Sequence, residues 1–332
     1  MSLKVAIVGT GNVARASYLP YLAKQEDVSL SYYSRTRAKA DACAADFGGG
    51  VVGTMAELVA ANPDTVLVLT NEKDRYAAAT ELLALRPRRV FFEKPLVALD
   101  GQEHVTEQDF ERGCDLLRRA KAAGTETAMV FNYRFYDQTQ RAVRIVAERE
   151  LGRVIQVTAF VHYACWSHCI DLIQLFGGPV ATMTALEGER MHAWGVSLAS
   201  DAAAAFRLAN GATGTILGTC GPDFTSPLYE LILSFERGRI SMRDLDGPME
   251  VLDYRLGYAE HHTLVANRSR WDQYHASFGK SLRAYLDSVA AGAPPPVPGI
   301  AGVHELQFEA ALRRSAAESR PVDVQAELPI DL

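Results

Sequence analysis

The sequence predicts an α/β protein of two domains: an N-terminal Rossmann domain with a doubly wound parallel sheet, and a C-terminal α+β domain with a large, mostly antiparallel sheet. In the first half, apolar runs of strand length alternate with helical patterns, which is typical of parallel strands joined by helices. The second half consists of short alternating segments, and Asn210-Gly211 between two of them predicts a hairpin. The 332 residues are sufficient for two cores, which we place at residues 1–131 and 132–332.

The first strand leads directly into a glycine pattern. An apolar run over residues 3–8 is followed by Gly9-x-Gly11-x-x-Ala14 and a helical pattern. Gly9 permits a tight turn, Gly11 lets a pyrophosphate approach the backbone, and Ala14 lets the helix pack close to the strand. The pattern therefore predicts a dinucleotide site with contacts from Gly9, Thr10, Gly11, Asn12 and Val13. The alternative is an ordinary glycine-rich turn of an α/β domain.

The end of the second predicted strand, residues 28–33, is where a Rossmann domain meets the adenosine ribose. An acidic residue there would bind the ribose 2′-hydroxyl, but this chain has Ser34, Arg35 and Thr36. Hydroxyls and a guanidinium suit a phosphate, so we expect NADP(H) to be favoured over NAD(H). The alternative is that Arg35 and Arg37 are solvated residues at a helix start. Thr70 and Asn71, after the next buried strand, are expected at the same edge of the sheet.

Glu93-Lys94-Pro95 follows a further strand, at residues 89–92. A lysine at the carboxyl end of a parallel strand faces the nucleotide crevice, where partial burial beside a positive nicotinamide would make it a proton donor. The alternative is a surface lysine at a strand–loop junction.

Four motifs in order resemble the Gfo/Idh/MocA oxidoreductase family. They are the glycine pattern, Glu93-Lys94-Pro95-Leu96, Asn132-Tyr133-Arg134-Phe135 and His168-x-x-Asp171, and they span nearly the whole chain. The resemblance implies a Rossmann domain followed by a domain built on a mostly antiparallel sheet. It also implies oxidation or reduction of sugars, inositols, nucleotide sugars or related alcohols with NAD(P).

The same resemblance implies roles for particular residues. Lys94 would contact the substrate oxygen and the nicotinamide region through a cis Lys94–Pro95 bond, and Glu93 would hold the loop. His168 would lie over the nicotinamide and shuttle the alcohol proton. Asp171, on the same predicted helical face, would orient His168 or hold the helix. Arg134 is either a substrate or cofactor contact or a structural ion-pair residue at the domain junction.

The chain departs from the family pattern before His168. Many members carry an acidic residue four positions earlier, where this chain has Ala164, and the usual glycine-rich segment is missing. We therefore expect Lys94 and His168 to handle protons without a carboxylate, with Tyr163 or a water assisting.

Composition excludes several classes. The net charge of −6 and the lack of a basic block argue against nucleic acid as a partner. No apolar run approaches the ~18 residues that span a bilayer, and the first is too short for a signal peptide. Five scattered cysteines indicate reduced thiols in the cytoplasm, with no metal site.

An Ala- and Leu-rich sheet face indicates a homodimer or homotetramer through the C-terminal sheet.

These observations favour an NADP(H)-dependent oxidoreductase that acts on a CH–OH group of a sugar-like or polyhydroxylated substrate. A non-catalytic nucleotide-binding sensor or partner subunit is the alternative, supported by Ala164. Reduction of a C=N or C=C bond is a third hypothesis for the same scaffold.

Overall fold

The computed structural model describes residues 2–194, 197–221, 226–265 and 269–332. The chain divides into two units. The first comprises Met1–Phe131, Phe278–Leu306 and Ile330–Leu332, and the second comprises Asn132–Ser277 and Gln307–Pro329.

The first unit contains a six-stranded parallel sheet in the order β3-β2-β1-β4-β5-β6. Its strands are β1 (Leu3–Val8), β2 (Val28–Tyr33), β3 (Gly50–Val51), β4 (Thr65–Val68), β5 (Arg89–Phe92) and β6 (Glu126–Met129). The central strands are buried on both faces, as expected for a parallel sheet covered by helices. The strand order reverses between β1 and β4, which creates a crevice at their carboxyl ends. The predicted doubly wound sheet is confirmed.

Helices flank this sheet. They are α1 (Leu19–Leu22), α2 (Arg37–Phe47), α3 (Met55–Ala60), α4 (Glu72–Ala84) and α5 (Glu107–Ala123). α5 begins with a capping box, in which Thr106 and Asp109 each accept a backbone N–H of the other. The Thr106-x-x-Asp109 spacing in the sequence is itself a capping-box pattern.

The helix after the glycine turn is irregular. Residues Ala14–Tyr18 form a π-helix before α1, and Leu19 donates its N–H to the Ala14 carbonyl five residues earlier. Pro20 has no N–H to give to a preceding turn, and its ring would crowd the carbonyl four residues before it. The wider π turn relieves that crowding, which explains why one proline reshapes the whole segment.

The second unit contains a nine-stranded sheet in the order β14-β13-β12-β11-β7-β10-β9-β8-β15, where β7 and β10 pair in parallel and the other pairs are antiparallel. Its strands are β7 (Val154–His162), β8 (Val180–Trp194), β9 (Ser197–Leu208), β10 (Thr213–Thr219), β11 (Tyr229–Phe235), β12 (Gly238–Arg243), β13 (Met249–Asp253), β14 (Tyr258–His262) and β15 (Val322–Asp323). The predicted large, mostly antiparallel sheet is confirmed.

The helical segments of the second unit cover one face of this sheet. They include 3₁₀ turns at Asn132–Phe135 and Tyr163–Cys165, α6 (Asp137–Glu148) and α7 (Trp166–Gly177); α8 (Arg270–Ala291) and α9 (Ile300–Glu318) contribute residues to both units, and α10 is Val324–Glu327. A Cβ at Gly218 of β10 would lie 2.6 Å from the Trp166 ring. Only a glycine lets α7 approach the sheet this closely, and buried Ile170, Leu172 and Ile173 complete the contact surface of α7.

The first unit also contains residues Phe278–Leu306, which the expected division at residues 131 and 132 assigns to the second domain. The hydroxyls of Tyr285 and Thr65 lie 2.6 Å apart, and the Tyr285 ring centroid is 4.9 Å from that of Phe91. Phe278 packs edge-on against Tyr18. These apolar side chains complete the core of the first unit.

Among the described residues, no helix has both the length and the apolar composition needed to cross a membrane.

Candidate functional site

The turn after β1 brings backbone from two neighbouring strands together. Gly9 has φ +95°, and a Cβ there would lie 2.7 Å from the Thr70 nitrogen. Its N–H donates to the Tyr33 carbonyl over 3.0 Å, which ties the turn to the end of β2. A Cβ at Gly11 would meet no atom within 4 Å. Gly9 is therefore required by the protein itself, whereas Gly11 leaves an open approach to the backbone.

This turn opens into a cavity of about 390 Å³ that lies wholly within the first unit. Eight of the predicted cofactor-binding residues line the cavity: Gly9, Thr10, Gly11, Ser34, Arg35, Thr36, Thr70 and Asn71. Asn12 and Val13 follow in the chain but are outside this lining, as are Glu93 and Lys94. The carboxyl ends of β1, β2 and β4 thus converge on one site, as expected at a switch point.

Two residues that line this cavity carry buried hydroxyls that have no hydrogen-bond partner among the described residues. They are Thr10 Oγ1 and Thr70 Oγ1, one from each side of the crevice. A buried hydroxyl left unpaired costs free energy, so polar atoms of a bound ligand would satisfy both groups. The residues present therefore fit a dinucleotide, and the open backbone at Gly11 is where the glycine pattern predicts its pyrophosphate.

The outer end of the cavity is charged. Arg35 Nη2 lies 2.6 Å from Asp74 Oδ2, and Lys39 and Glu81 also line the cavity. The pair is exposed, with 76% of the Arg35 side chain and 48% of the Asp74 side chain accessible to solvent. Two cations and two carboxylates therefore surround the position expected for the adenosine ribose.

Sequence reasoning missed Lys39 and Asp74. Lys39 lies one helical turn after Thr36, so helical spacing could have indicated it. Asp74 lies in the first turn of α4, three residues beyond Asn71, and its approach to Arg35 depends on the pairing of β2, β1 and β4.

The Glu93-Lys94-Pro95 segment forms the loop after β5, and its Lys94–Pro95 bond is cis, as the family resemblance implies. The buried Glu93 carboxylate accepts the Tyr18 hydroxyl over 2.9 Å and the Lys94 backbone N–H over 2.5 Å. The Lys94 ammonium donates to the Gln102 amide oxygen over 2.8 Å. The part-buried lysine is thus held in a defined position.

Arg75 of α4, which sequence reasoning also missed, lies beneath this loop and is almost fully buried. It donates to the carbonyls of Thr70 (2.7 Å), Glu93 (2.8 Å) and Pro95. Burial lowers the pKa of Arg75 from its ordinary value, and the Glu93 carboxylate opposes this effect. One guanidinium therefore links the end of β4, at the cavity, to the Lys94 loop.

In the second unit, the predicted His168 is nearly inaccessible and stacks on Tyr133. The ring centroids are 4.0 Å apart and the angle between the ring planes is 8°. The Tyr133 hydroxyl lies 2.9 Å from Cys165 Sγ. Burial raises the pKa of Tyr133 well above its ordinary value, so its hydroxyl stays protonated. The stack fixes the plane of the imidazole.

Asp171 forms an ion pair with Arg134 through two hydrogen bonds, of 2.7 Å from Nε and 2.5 Å from Nη2. This pair joins α7 to the Asn132–Phe135 turn, and the roles expected for Asp171 and Arg134 stay predictions. Burial raises the pKa of Asp171, and the Arg134 charge counteracts the rise.

Tyr163 is buried, and its hydroxyl donates to the Ser200 carbonyl over 2.8 Å. Burial raises the pKa of Tyr163 above its ordinary value, and its expected help in proton transfer stays a prediction. The Ala164 N–H donates to Nδ1 of His162 over 3.1 Å. Sequence reasoning missed His162, a buried histidine at the end of β7 whose pKa is lowered by burial.

Among the described residues, no group of three or more histidine, cysteine or acidic side chains is arranged to hold a metal ion.

A parallel sheet in this strand order, with a glycine turn and a polar cavity at the switch point, defines a dinucleotide-binding protein. Residues 3–126 match the Gfo/Idh/MocA family, described as the oxidoreductase family with an NAD-binding Rossmann fold. The N-terminal segment of the chain therefore matches this family, in agreement with the resemblance inferred from the motifs.

Two curated relatives are similar over part of the chain. D-glucoside 3-dehydrogenase of Escherichia coli (strain K12) is 29% identical over 168 residues, 47% of this chain and 42% of the relative. D-xylose 1-dehydrogenase (NADP(+)) 2 of Haloferax volcanii is 29% identical over 154 residues, 46% of this chain and 44% of the relative. The chain thus spans less than half the length of the curated relatives it matches.

The whole fold matches solved structures. An oxidoreductase from Agrobacterium radiobacter, solved in complex with NAD+, L-tartaric acid and magnesium, gives a TM-score of 0.80 at 16% identity. The match covers 99% of this chain and 100% of that structure. At this identity the match establishes the two-domain fold.

Proposed function

We propose that the protein is an oxidoreductase that transfers a hydride between a nicotinamide dinucleotide and a carbinol or carbonyl carbon of a sugar-like substrate. The observation that carries this proposal is the cavity at the β1–β4 switch point, with its glycine turn and two unpaired buried hydroxyls. The names of the curated relatives, both sugar dehydrogenases, support the substrate class.

The bound nicotinamide would accept or supply the hydride. Lys94 is proposed to hydrogen-bond the substrate oxygen through its ammonium. Its anchorage supports this role, because Gln102 holds the ammonium while Glu93 and Arg75 fix the loop backbone. Such positioning lowers the entropic cost of reaching a reactive geometry.

His168 is proposed to exchange the alcohol proton. Its imidazole is held flat against Tyr133, so the ring nitrogens keep fixed directions. An imidazole titrates near neutral pH, which suits a group that both accepts and returns a proton. In this proposal Asp171 and Arg134 support the helix that carries His168.

The proposed cofactor is NADP(H) in preference to NAD(H). Ser34, Arg35 and Thr36 line the cavity at the end of β2, and Lys39 adds a second cation. A guanidinium and an ammonium are suitable partners for a ribose 2′-phosphate.

The test is turnover of a panel of sugars and keto-sugars with NADPH and NADH. Lys94→Met and His168→Asn should each lower kcat about 100-fold or more, because positioned proton-transfer groups contribute at least that much. Both variants should still bind NADPH. Lys121→Met and His192→Asn are matched controls at positions away from the proposed groups and should retain activity.

Wild-type protein that binds NADPH tightly but turns over no sugar would overturn the catalytic proposal. That result would favour the non-catalytic nucleotide-binding alternative, which Ala164 supports. Reduction of an imine or alkene instead would retain the cofactor proposal and replace the substrate class.

A further inference from the structure

The charged end of the dinucleotide cavity contains an ion pair between two different elements. Arg35 follows β2, and Asp74 lies in the first turn of α4. Their side chains meet across the cavity mouth, with Nη2 and Oδ2 separated by 2.6 Å. The first turn of a helix is a favourable position for a carboxylate, because the exposed N–H groups there carry partial positive charge.

This pair alters how the end of β2 interacts with a ribose. The absence of an acidic residue at Ser34 removes the usual partner of the ribose 2′-hydroxyl. Asp74 nevertheless brings a carboxylate to the same end of the cavity. A 2′-phosphate must therefore share Arg35 with Asp74 or displace it, and it also meets the negative charge of that carboxylate.

We propose that Asp74 is a specificity-determining residue that moderates the preference for adenosine 2′-phosphate by holding Arg35. The inference rests on the proposed function, because it assumes that the cavity binds a dinucleotide. Asp74 pairs with the Arg35 guanidinium when no phosphate is present, so NADP(H) binding exchanges one partner of Arg35 for another. The gain in binding free energy is therefore smaller than an unpaired arginine would give. NAD(H), which lacks the phosphate, leaves the pair intact. The wild-type site therefore accepts both cofactors and favours NADP(H) only moderately.

The test is a fluorescence titration of wild type and variants with NADPH and NADH in parallel. Asp74→Asn should raise the NADPH-to-NADH affinity ratio about three- to ten-fold, a modest change because both partners of the pair are exposed. The increase should come from tighter NADPH binding, with NADH affinity little changed. Adenosine 2′,5′-bisphosphate and 5′-AMP should show the same difference by calorimetry, because they carry the discriminating end of the cofactors without the nicotinamide.

Glu81→Gln is the matched control. It removes the same charge from the same helix and the same cavity, so it measures the general effect of lowering the negative charge. Arg35→Ala should lower the ratio. Adding Asp74→Asn to Arg35→Ala should restore little of it, because the proposed action of Asp74 runs through Arg35.

An Asp74→Asn ratio equal to that of wild type or of Glu81→Gln would overturn the inference. An equal gain with and without Arg35 would also overturn it, since direct repulsion would then account for the effect. If Arg35→Ala leaves the ratio unchanged, the proposed NADP(H) preference fails. If neither dinucleotide binds, the proposed function fails together with the inference.

Discussion

Arg75 shows how one buried cation organises a site. Its guanidinium satisfies three carbonyls that belong to the ends of two neighbouring strands. A lysine has a single ammonium and lacks the planar fork needed to reach all of them. Arg75 therefore couples the Lys94 loop to the Thr70 side of the cavity, and it can do so without touching the proposed dinucleotide or substrate.

We expect Arg75→Met to destabilise the protein by about 3 kcal/mol, because the buried carbonyls lose their donor. Urea unfolding measures the change. Arg88→Met, which removes an exposed arginine, should cost less than about 1 kcal/mol. Equal effects of the two substitutions would show that Arg75 has no such structural role.

His162 provides a pH prediction. Burial lowers its pKa from 6.5, so the folded protein holds the imidazole neutral while the unfolded chain takes up a proton near pH 6.5. Stability should therefore fall as the pH drops below about 6.5. His162→Gln should reduce this decline, which urea midpoints between pH 5 and pH 8 would measure. The exposed His104→Gln serves as control, and an unchanged slope in His162→Gln would contradict the assignment.

At the level of elements, the β1 turn combines a structural glycine with a ligand-approach glycine. Gly9 has a positive φ and lies against β4, whereas Gly11 borders open space. The two positions are two residues apart in one motif, yet the fold constrains Gly9, whereas the constraint expected at Gly11 is the approach of a ligand. The same turn leads into the π-helix that Pro20 imposes, so the fingerprint helix departs from regular α geometry from Ala14 onward.

We expect Gly9→Ala to destabilise the protein by roughly 1–3 kcal/mol, because the new Cβ meets the Thr70 backbone and the φ is unfavourable. Gly11→Ala should leave the unfolding midpoint nearly unchanged but weaken NADPH binding. Thermal unfolding and fluorescence titration separate the two effects. Wild-type affinity in Gly11→Ala would show that the pyrophosphate does not approach this backbone.

At the level of the whole molecule, the large sheet of the second unit has one face packed with helices and one face with exposed apolar side chains. Phe160, Leu186 and Leu217 lie on that open face, beside a cavity of about 710 Å³. Apolar surface of this kind is typical of an interaction site. We propose that copies of the chain associate through this face as a homodimer or homotetramer.

Leu217→Glu should shift the protein toward monomers, because the interface would have to bury an unpaired charge. Sedimentation equilibrium measures the change, and Leu256→Glu, at an exposed turn, is the control. Monomeric wild-type protein would overturn the proposal.

Features that depend on neighbours along the chain were predictable from the sequence alone. The glycine turn, the alternation of strands and helices, the Thr106 capping box and the Asn210-Gly211 hairpin each depend on residues a few positions apart. The family motifs indicated Lys94 and His168, whose catalytic roles remain predictions.

Contacts between side chains that are distant in sequence depend on the tertiary fold. Arg35 and Asp74 are 39 residues apart, and Arg134 and Asp171 are 37 apart, so no local pattern predicts either pair. Strand pairing and helix packing bring these groups together, and the charge at each contact depends on both partners. The sequence indicated the arginine at each site, but the carboxylate that pairs with each arginine follows from the fold.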